Sequence, residues 1–294
     1  MRSKLFVPAS RPELFAKALA SAADAISFDL EDAVAPERKA MARAALNDLL
    51  RGDGPQAPLR VAPAHQSLIV RVNAVGSEHF EADLQAIVWP ALDVINLPMV
   101  EGPETVQRAA EQIEQLQQAR AIAKPIRLLV NIESPRGLRK AAELALAHPT
   151  VMGLQIGYGD LFAPLGIASG EPSATQYVRT AVRLAAGEAG IAAYDGAYVN
   201  FKDTEGYRRD SMAARALGFA GRSCIHPSQI DLANQVFMPT PAELEQALKV
   251  VRACEQNLAA GVGAFSVDGR LVDGPFITEA QALVALGRRL GLLD

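Results

Sequence analysis

Eight short apolar runs, separated by longer stretches with helical spacing, are the feature of this 294-residue chain that most limits its fold. Short runs that are apolar on both faces are typical of parallel strands covered by helices on either side. We predict these strands at residues 5–7, 25–29, 68–72, 94–97, 127–132, 152–156, 192–197 and 221–225.

Amphipathic helical patterns fill the intervals between these strands. Those at residues 12–21 and 36–50 begin with a proline near the first turn, a position that proline favours. Others lie at residues 103–123, 135–148, 173–189 and 204–217. The alternation predicts a closed (β/α)8 TIM barrel of the α/β class. An open doubly wound sheet is the alternative, but no GxGxxG turn follows the first strand.

The chain continues beyond the eighth strand with a different pattern. Residues 240–260 indicate a long helix, residues 261–274 are rich in glycine with a hairpin-like Asp268-Gly269 pair, and residues 277–290 indicate a final helix. A complete barrel does not need this tail. We therefore expect a barrel domain over residues 1–239 and a C-terminal helical lid or subunit-swapped arm over residues 240–294.

The composition excludes several classes of partner. The net charge is −4 and the chain has no apolar run of 18 residues, so neither nucleic acid nor a membrane is an expected partner. Cys224 and Cys254 form neither a disulfide framework nor a zinc-site spacing. We expect a cytoplasmic protein.

Acidic side chains follow the predicted strands at the end where TIM-barrel enzymes carry their chemistry. They are Asp29, Glu31, Asp32, Glu133, Asp160 and Asp195. Several acids on one rim repel each other unless a cation compensates, and oxygen ligands without cysteine or histidine favour Mg²⁺, with Mn²⁺ as a second possibility. Arg71 lies within an apolar run, so it should face carboxylates or a bound anion.

Structural roles remain open for each of these residues. Asp29, Glu31 and Asp32 could cap the helix that begins near residue 36, or pair with arginines. Glu133 could be an acid at a helix entry, and Arg71 could form a purely structural salt bridge.

Several motifs recur along nearly the whole chain in a specific order and spacing. They are RSKLFVP (2–8), FDLEDA (28–33), VRVN (70–73), NIESPRG (131–137), GD (159–160), AYVNFKD (197–203) and GRSCIHPSQ (221–229). Together they resemble the HpcH/HpaI aldolase and citrate lyase β-subunit superfamily, in particular the stand-alone citrate-lyase-β-like CoA-ester lyases. The resemblance implies a Mg²⁺-dependent carbon–carbon lyase that cleaves or forms 3-hydroxyacyl-CoA thioesters, such as citramalyl-CoA, malyl-CoA or citryl-CoA. The products of cleavage would be a 2-oxo acid and acetyl-CoA.

The resemblance also implies roles for individual residues. Glu133 and Asp160 match the two metal ligands, and Arg71 matches the arginine that contacts the 2-oxo acid and the thioester oxygen. Glu31 and Asp32 match the acidic pair that anchors this arginine and the metal waters. Further implied is a homotrimer or hexamer, in which Asp273 matches a C-terminal acid that reaches a neighbouring subunit's active site.

Coenzyme A is expected at the loop after the first strand. Pro8 begins this loop, and Arg11 and Lys17 are the cations expected to bind the CoA phosphates. Many relatives carry Pro-Gly where this chain has Pro8-Ala9-Ser10, so the chain departs from the family pattern at this loop. An ordinary basic helix face is the alternative for these two cations.

Three other functions compete with this interpretation. A class II 2-oxo-acid aldolase of the HpaI type would use a histidine in the loop after strand two, and residues 29–36 contain none. The β subunit of a citrate lyase complex would act on an acyl-carrier-protein thioester. A non-enzymatic binding barrel is the third.

Overall fold

The structure, a computed structural model, describes residues 1–52, 66–259 and 263–293. The chain divides into two compact units, Met1–Phe237 and Met238–Asp294. The predicted hairpin pair Asp268-Gly269 lies within the described part of the second unit, whereas residues 261 and 262 of the predicted turn segment lie outside the described residues.

The first unit is a closed barrel of eight parallel strands in chain order, with β1 paired to both β2 and β8. The strands are β1 (Ser3–Pro8), β2 (Ala25–Asp29), β3 (Ser67–Arg71), β4 (Val94–Leu97), β5 (Arg127–Ile132), β6 (Val151–Ile156), β7 (Ala192–Asp195) and β8 (Gly221–Cys224). The predicted (β/α)8 fold is confirmed, and the strands at residues 25–29, 94–97 and 127–132 have the predicted bounds.

Helices connect the strands and cover the outer face of the barrel. Those of the first unit are α1 (Phe15–Leu19), α2 (Lys39–Arg51), α3 (Phe80–Ile87), α4 (Pro103–Ala119), α5 (Pro135–Arg139), α6 (Ala141–Ala145), α7 (Tyr158–Phe162), α8 (Pro172–Glu188), α9 (Thr204–Ala216) and α10 (Ile230–Val236). Side-chain caps mark several starts. Ser134 Oγ accepts from the Gly137 N–H, and the carboxylates of Glu171 and Asp203 accept from Ala174 and Gly206 N–H in the same way.

The interior of the barrel carries polar side chains as well as apolar ones. Lys4 of β1 donates a hydrogen bond to Asn96 of β4. Because β1 and β4 are not neighbours in the sheet, this bond must cross the barrel interior. Ala25, Ile69, Val94, Leu129 and Tyr194, which come from five strands, form a separate small apolar cluster.

The second unit comprises α11 (Pro241–Ala259), a hairpin of β9 (Phe265–Val267) and β10 (Arg270–Val272), and α12 (Gly274–Arg289). Asp268 and Gly269 form the hairpin turn with φ of 50° and 76°, the left-handed values that a tight two-residue turn requires. The unit has its own apolar cluster, which includes Val250, Phe265 and Val284. None of the helices in the described parts of either unit is long and apolar enough to cross a lipid bilayer.

Candidate active site

A cavity of about 790 Å³ opens at the carboxyl ends of the barrel strands. Its lining includes Asp29, Arg71, Glu133, Gln155, Asp160 and Ser223. Three of the predicted site residues, Arg71, Glu133 and Asp160, therefore line one cavity, although they lie on different strands or in different loops.

Arg71 ends β3 and contacts three acids, one at the end of β2 and two directly after it. Its Nε and Nη2 each lie 2.7 Å from an Asp29 oxygen, which makes a bidentate ion pair. Nη1 lies 2.7 Å from Glu31 Oε2, at an angle poor for a hydrogen bond, and 3.5 Å from Asp32 Oδ2. Asp29 is thus the principal anchor of the guanidinium, Glu31 is a second contact, and the largely exposed Asp32 is a distant one.

The pKa values of the acids around Arg71 shift in opposite directions. Burial alone would raise the pKa of the Asp29 carboxyl, but its hydrogen bonds and ion pair with Arg71 hold that pKa below its usual range. Burial raises the pKa of Glu31 to about 8 against the lowering effect of Arg71, and the nearby charges of Asp32, Glu133 and Asp29 add to the rise. The rim is therefore richer in negative charge than its single guanidinium can neutralise.

Glu133 follows β5 and is only 3% exposed. Its Oε1 accepts a hydrogen bond from the Met99 N–H, and its Oε2 accepts one from Asn131 Nδ2 at 3.0 Å. Burial raises the pKa of Glu133, and the charge of Asp160 raises it further, against the lowering effects of Met99, Arg71 and Asn131. The carboxylate is held in one position and lies within electrostatic reach of Asp160.

Asp160 lies in the first turn of α7, which begins directly after β6 and Gly157. It is exposed in the cavity, and none of its contacts with other described side chains is a hydrogen bond or ion pair. Asp160 and Glu133 thus present carboxylate oxygens to one space, and their mutual repulsion would be relieved by a cation.

This donor set fits a hard divalent cation. Among the described residues, no three His, Cys, Asp or Glu side chains form a complete metal cluster. Two carboxylates are nevertheless the usual protein share for Mg²⁺, which keeps several waters or binds substrate oxygens in its other positions. Glu133 and Asp160 are the residues that would hold it.

Asp195, which we predicted on the same acidic rim from the sequence, is held in a buried network of ion pairs and hydrogen bonds. It is fully buried at the end of β7, and Arg179 Nη2 of α8 donates to its Oδ2 at 2.7 Å. Tyr158 donates to its other oxygen, and Arg222 Nη2 lies 3.5 Å away. Asp210 receives hydrogen bonds from the same two arginines. The expectation that Asp195 joins the acidic rim is therefore wrong, because two buried arginines neutralise it.

The remaining predicted residues lie elsewhere. Pro8 ends β1, Arg11 is exposed and pairs with Glu13 at 2.9 Å, and Lys17 is exposed on α1. Asp273 lies in the second unit immediately before α12, and its buried Oδ1 has no hydrogen-bond partner among the described residues. The CoA-binding and catalytic roles of these residues stay predictions.

Two features of the site were not anticipated from the sequence. Asn131 holds Glu133, and Gly157 leaves the space that the Glu133 carboxylate fills. The motif NIESPRG could have indicated the contact between Asn131 and Glu133. Side chains two residues apart in extended backbone point to the same side.

Comparison with known proteins places the chain in a family. The family model of HpcH/HpaI aldolase/citrate lyase matches residues 2–227. The chain is 37% identical to a (3S)-malyl-CoA thioesterase of Cereibacter sphaeroides over 97% of this chain and 93% of that protein. It is 33% identical to the citrate lyase subunit beta of Escherichia coli, over 100% of this chain and 95% of that protein.

A solved structure agrees with these relatives. The CitE protein of Mycobacterium tuberculosis, in complex with magnesium, acetoacetate and coenzyme A, superposes with a TM-score of 0.75 at 33% identity. The match covers 99% of this chain and 100% of that one. The family model covers most of the barrel, and relatives above 30% identity cover nearly the whole chain. The chain therefore belongs to the HpcH/HpaI aldolase/citrate lyase family.

Proposed function

We propose that this protein is a Mg²⁺-dependent carbon–carbon lyase that cleaves, or in reverse forms, 3-hydroxyacyl-CoA thioesters of the malyl-CoA, citramalyl-CoA or citryl-CoA type. The observation that carries the proposal is the presence of Glu133, Asp160 and Arg71 on the wall of one cavity. The substrate class is supported by two relatives, one named as a malyl-CoA thioesterase and one as a citrate lyase subunit. It is also supported by a similar structure solved with magnesium and coenzyme A.

Glu133 and Asp160 would hold the cation, which when bound supplies the Lewis acidity that lowers the pKa of the substrate hydroxyl. The hydroxyl proton passes to water, the adjacent carbon–carbon bond breaks, and its electron pair passes to the acetyl thioester as an enolate. The hydroxyl carbon becomes the carbonyl carbon of the 2-oxo acid.

Arg71 would stabilise the enolate oxygen. The ion pair with Asp29 fixes the guanidinium plane, and the side chain lies in the cavity wall with 13% of its surface exposed. Such a fixed cation interacts more strongly with a developing oxyanion than with a neutral thioester carbonyl, and this difference accelerates the reaction. Burial alone would lower the pKa of Arg71, but Asp29, Glu31 and Asp32 raise it above its usual range, so the side chain remains charged.

Asp273 would deliver the proton to the enolate carbon, or remove it in the condensation direction. Because Asp273 lies in the second unit, we infer that it acts in the site of a neighbouring subunit of a homotrimer or hexamer. The buried Asp273 Oδ1, which has no hydrogen-bond partner within the described part of the chain, supports a role beyond local structure. Arg11 and Lys17 would bind the CoA phosphates, and a cytoplasmic location completes the proposal.

The experiment is an assay of purified protein with malyl-CoA and citramalyl-CoA, with Mg²⁺ and with EDTA. A lyase releases acetyl-CoA together with glyoxylate or pyruvate only when Mg²⁺ is present. Full cleavage in EDTA, or full activity of Asp160→Ala, would contradict the proposal.

Thioester hydrolysis is a second candidate, favoured by the 37% identity to a protein named (3S)-malyl-CoA thioesterase. The same assay separates the two functions, because hydrolysis of malyl-CoA releases free CoA and malate without glyoxylate. Addition of CoA-free hydroxy-oxo acids in a parallel reaction tests the class II aldolase alternative.

A further inference from the structure

Four polar side chains form a continuous hydrogen-bonded path through the barrel interior, from β1 to the end of β5. Lys4 Nζ donates to Asn96 Oδ1 at 2.8 Å, and Asn96 Nδ2 donates to Asn131 Oδ1 at 2.7 Å. Asn131 Nδ2 then donates to Glu133 Oε2 at 3.0 Å. We call Lys4, Asn96, Asn131 and Glu133 the amide chain.

The two ends of the amide chain fix its direction. Lys4 Nζ donates to Asn96 and a carboxylate can only accept, so Asn96 turns its oxygen towards Lys4, and Asn131 must turn its nitrogen towards Glu133. Gln155 Nε2 also donates to Asn131 Oδ1, at 3.3 Å. If Asn131 were turned over, its NH₂ group would face two other donors.

Lys4 is an unfavourable residue for this position on stability alone. It is 1% exposed, and burial, with a smaller effect of Arg71, holds its pKa well below the ordinary value. The inner layers of such barrels are normally filled by branched aliphatic side chains. A buried charge is often less stabilising than an apolar residue of similar volume. The position of Lys4 therefore points to a role at the other end of the amide chain.

We propose that Lys4 is a positioning residue for the divalent-cation site, which acts through Asn96 and Asn131 to hold the Glu133 carboxylate in its ligating orientation. This inference rests on the proposed function, because it takes Glu133 as a metal ligand. Lys4 itself touches neither substrate nor cation. Its loss would leave Asn96 Oδ1 without the bond from Lys4. The Asn96 amide, held then by Leu129 O at 3.0 Å and by Asn131 Oδ1, would shift and move Asn131 Nδ2 away from Glu133 Oε2.

The test is calorimetric titration of Mn²⁺ alone into metal-free protein. Lys4→Met removes the donor and should weaken Mn²⁺ binding about 10-fold or more, the usual effect of losing a partner that orients a ligand. Lys4→Gln keeps a neutral donor towards Asn96 and should recover most of that loss. Lys124→Met, at an exposed lysine that pairs with Asp93, should bind as the wild type does.

Each outcome decides between the possibilities. Wild-type affinity in Lys4→Met, or Lys4→Gln as weak as Lys4→Met, would overturn the inference and leave the proposed function standing. Glu133→Gln should bind neither Mn²⁺ nor Mg²⁺. If the wild-type protein also binds neither ion, the proposed function is overturned and the inference with it.

A second variant covers the case in which Lys4→Met does not fold. Lys4→Met combined with Asn96→Leu replaces both partners of the first bond by apolar groups, so that neither is left unpaired. The double variant should bind Mn²⁺ about 10-fold or more weakly than the wild type, as predicted for Lys4→Met. Wild-type Mn²⁺ affinity in this folded double variant would equally overturn the inference.

Discussion

Gly157 lies directly against Glu133: a Cβ atom at position 157 would fall 2.5 Å from Glu133 Oε2 and 2.7 Å from its Cβ. No side chain can occupy that space while the carboxylate stays in place. The first prediction follows from this contact.

Gly157→Ala should displace the Glu133 carboxylate and weaken Mg²⁺ binding about 10-fold or more, as losses of ligand orientation do. Isothermal titration with Mg²⁺ measures the effect. Gly159→Ala is the matched control, because nothing lies within 4 Å of a Cβ at that position. Equal Mg²⁺ affinities in the two variants would show that Glu133 does not depend on this space.

Arg71→Lys should lower kcat by about 100-fold or more, the usual effect of losing a fixed donor to an oxyanion. A lysine keeps the charge but cannot form the bidentate contact with Asp29 while also reaching Glu31. Steady-state kinetics with malyl-CoA would detect the loss in kcat. A change confined to KM would assign Arg71 to substrate binding alone.

The metal-free protein should become less stable as the pH rises from about 5 to about 8. The pKa of Glu31 is raised from 4.5 to about 8 in the folded state, so within this window the folded protein holds a proton that the unfolded chain has lost. The raised pKa of Glu133 acts in the same direction, whereas the lowered pKa of Asp29 acts below this window. Thermal melting in EDTA measures the trend.

Glu31→Gln is the matched variant for this pH dependence. It should flatten the fall in Tm across the same window, because the group whose pKa is most clearly raised is gone. A melting temperature of the wild-type protein that does not change between pH 5 and pH 8 would contradict the predicted charge state of the rim.

Asp195→Ala should destabilise the barrel by about 3–5 kcal/mol, because it leaves two buried arginines, Arg179 and Arg222, with only the more exposed Asp210 as a shared carboxylate. Urea unfolding measures the loss. Asp231→Ala, at an exposed acid of α10, should remain within about 0.5 kcal/mol of the wild type. A folded Asp195→Ala protein with unchanged stability and weaker Mg²⁺ binding would show that Asp195 belongs to the acidic rim after all.

Asp273→Asn should abolish turnover while leaving Mg²⁺ binding unchanged. If Asp273 acts in a neighbouring site, mixed oligomers of Asp273→Asn and Glu133→Gln subunits should regain part of the activity, since some sites then contain both native residues. Asp268→Asn, at an exposed acid of the hairpin turn, is the control. Mixed oligomers as inactive as their parents would assign Asp273 to its own subunit.

Much of the barrel could be predicted because its strands are short, apolar and regularly spaced. The helices were less predictable: α3, α7 and α10 are short and none starts with proline, so their residues carry no clear helix signal. The single helix expected over residues 135–148 is two, because the backbone at Lys140 leaves helical geometry between α5 and α6.

The site could be predicted only in part. The rule that strand ends carry chemistry located Arg71, Glu133 and Asp160, because it depends on sequence position alone. Lys4 and Asn96 could not be linked, since contacts across the barrel depend on the stagger of non-neighbouring strands. Arg222 offered an overlooked signal: like Arg71, it is a charge within a buried strand, and it marks the partner of Asp195.

The closure of the barrel by pairing of β1 with β8 has a consequence for biosynthesis. Ser3 to Leu5 can pair with β8 only after Arg222 to Cys224 have left the ribosome, so one edge of the first strand stays uncovered through most of translation. Such open edges invite association between nascent chains. Truncated products that end before β8 should therefore depend on chaperones to stay dispersed.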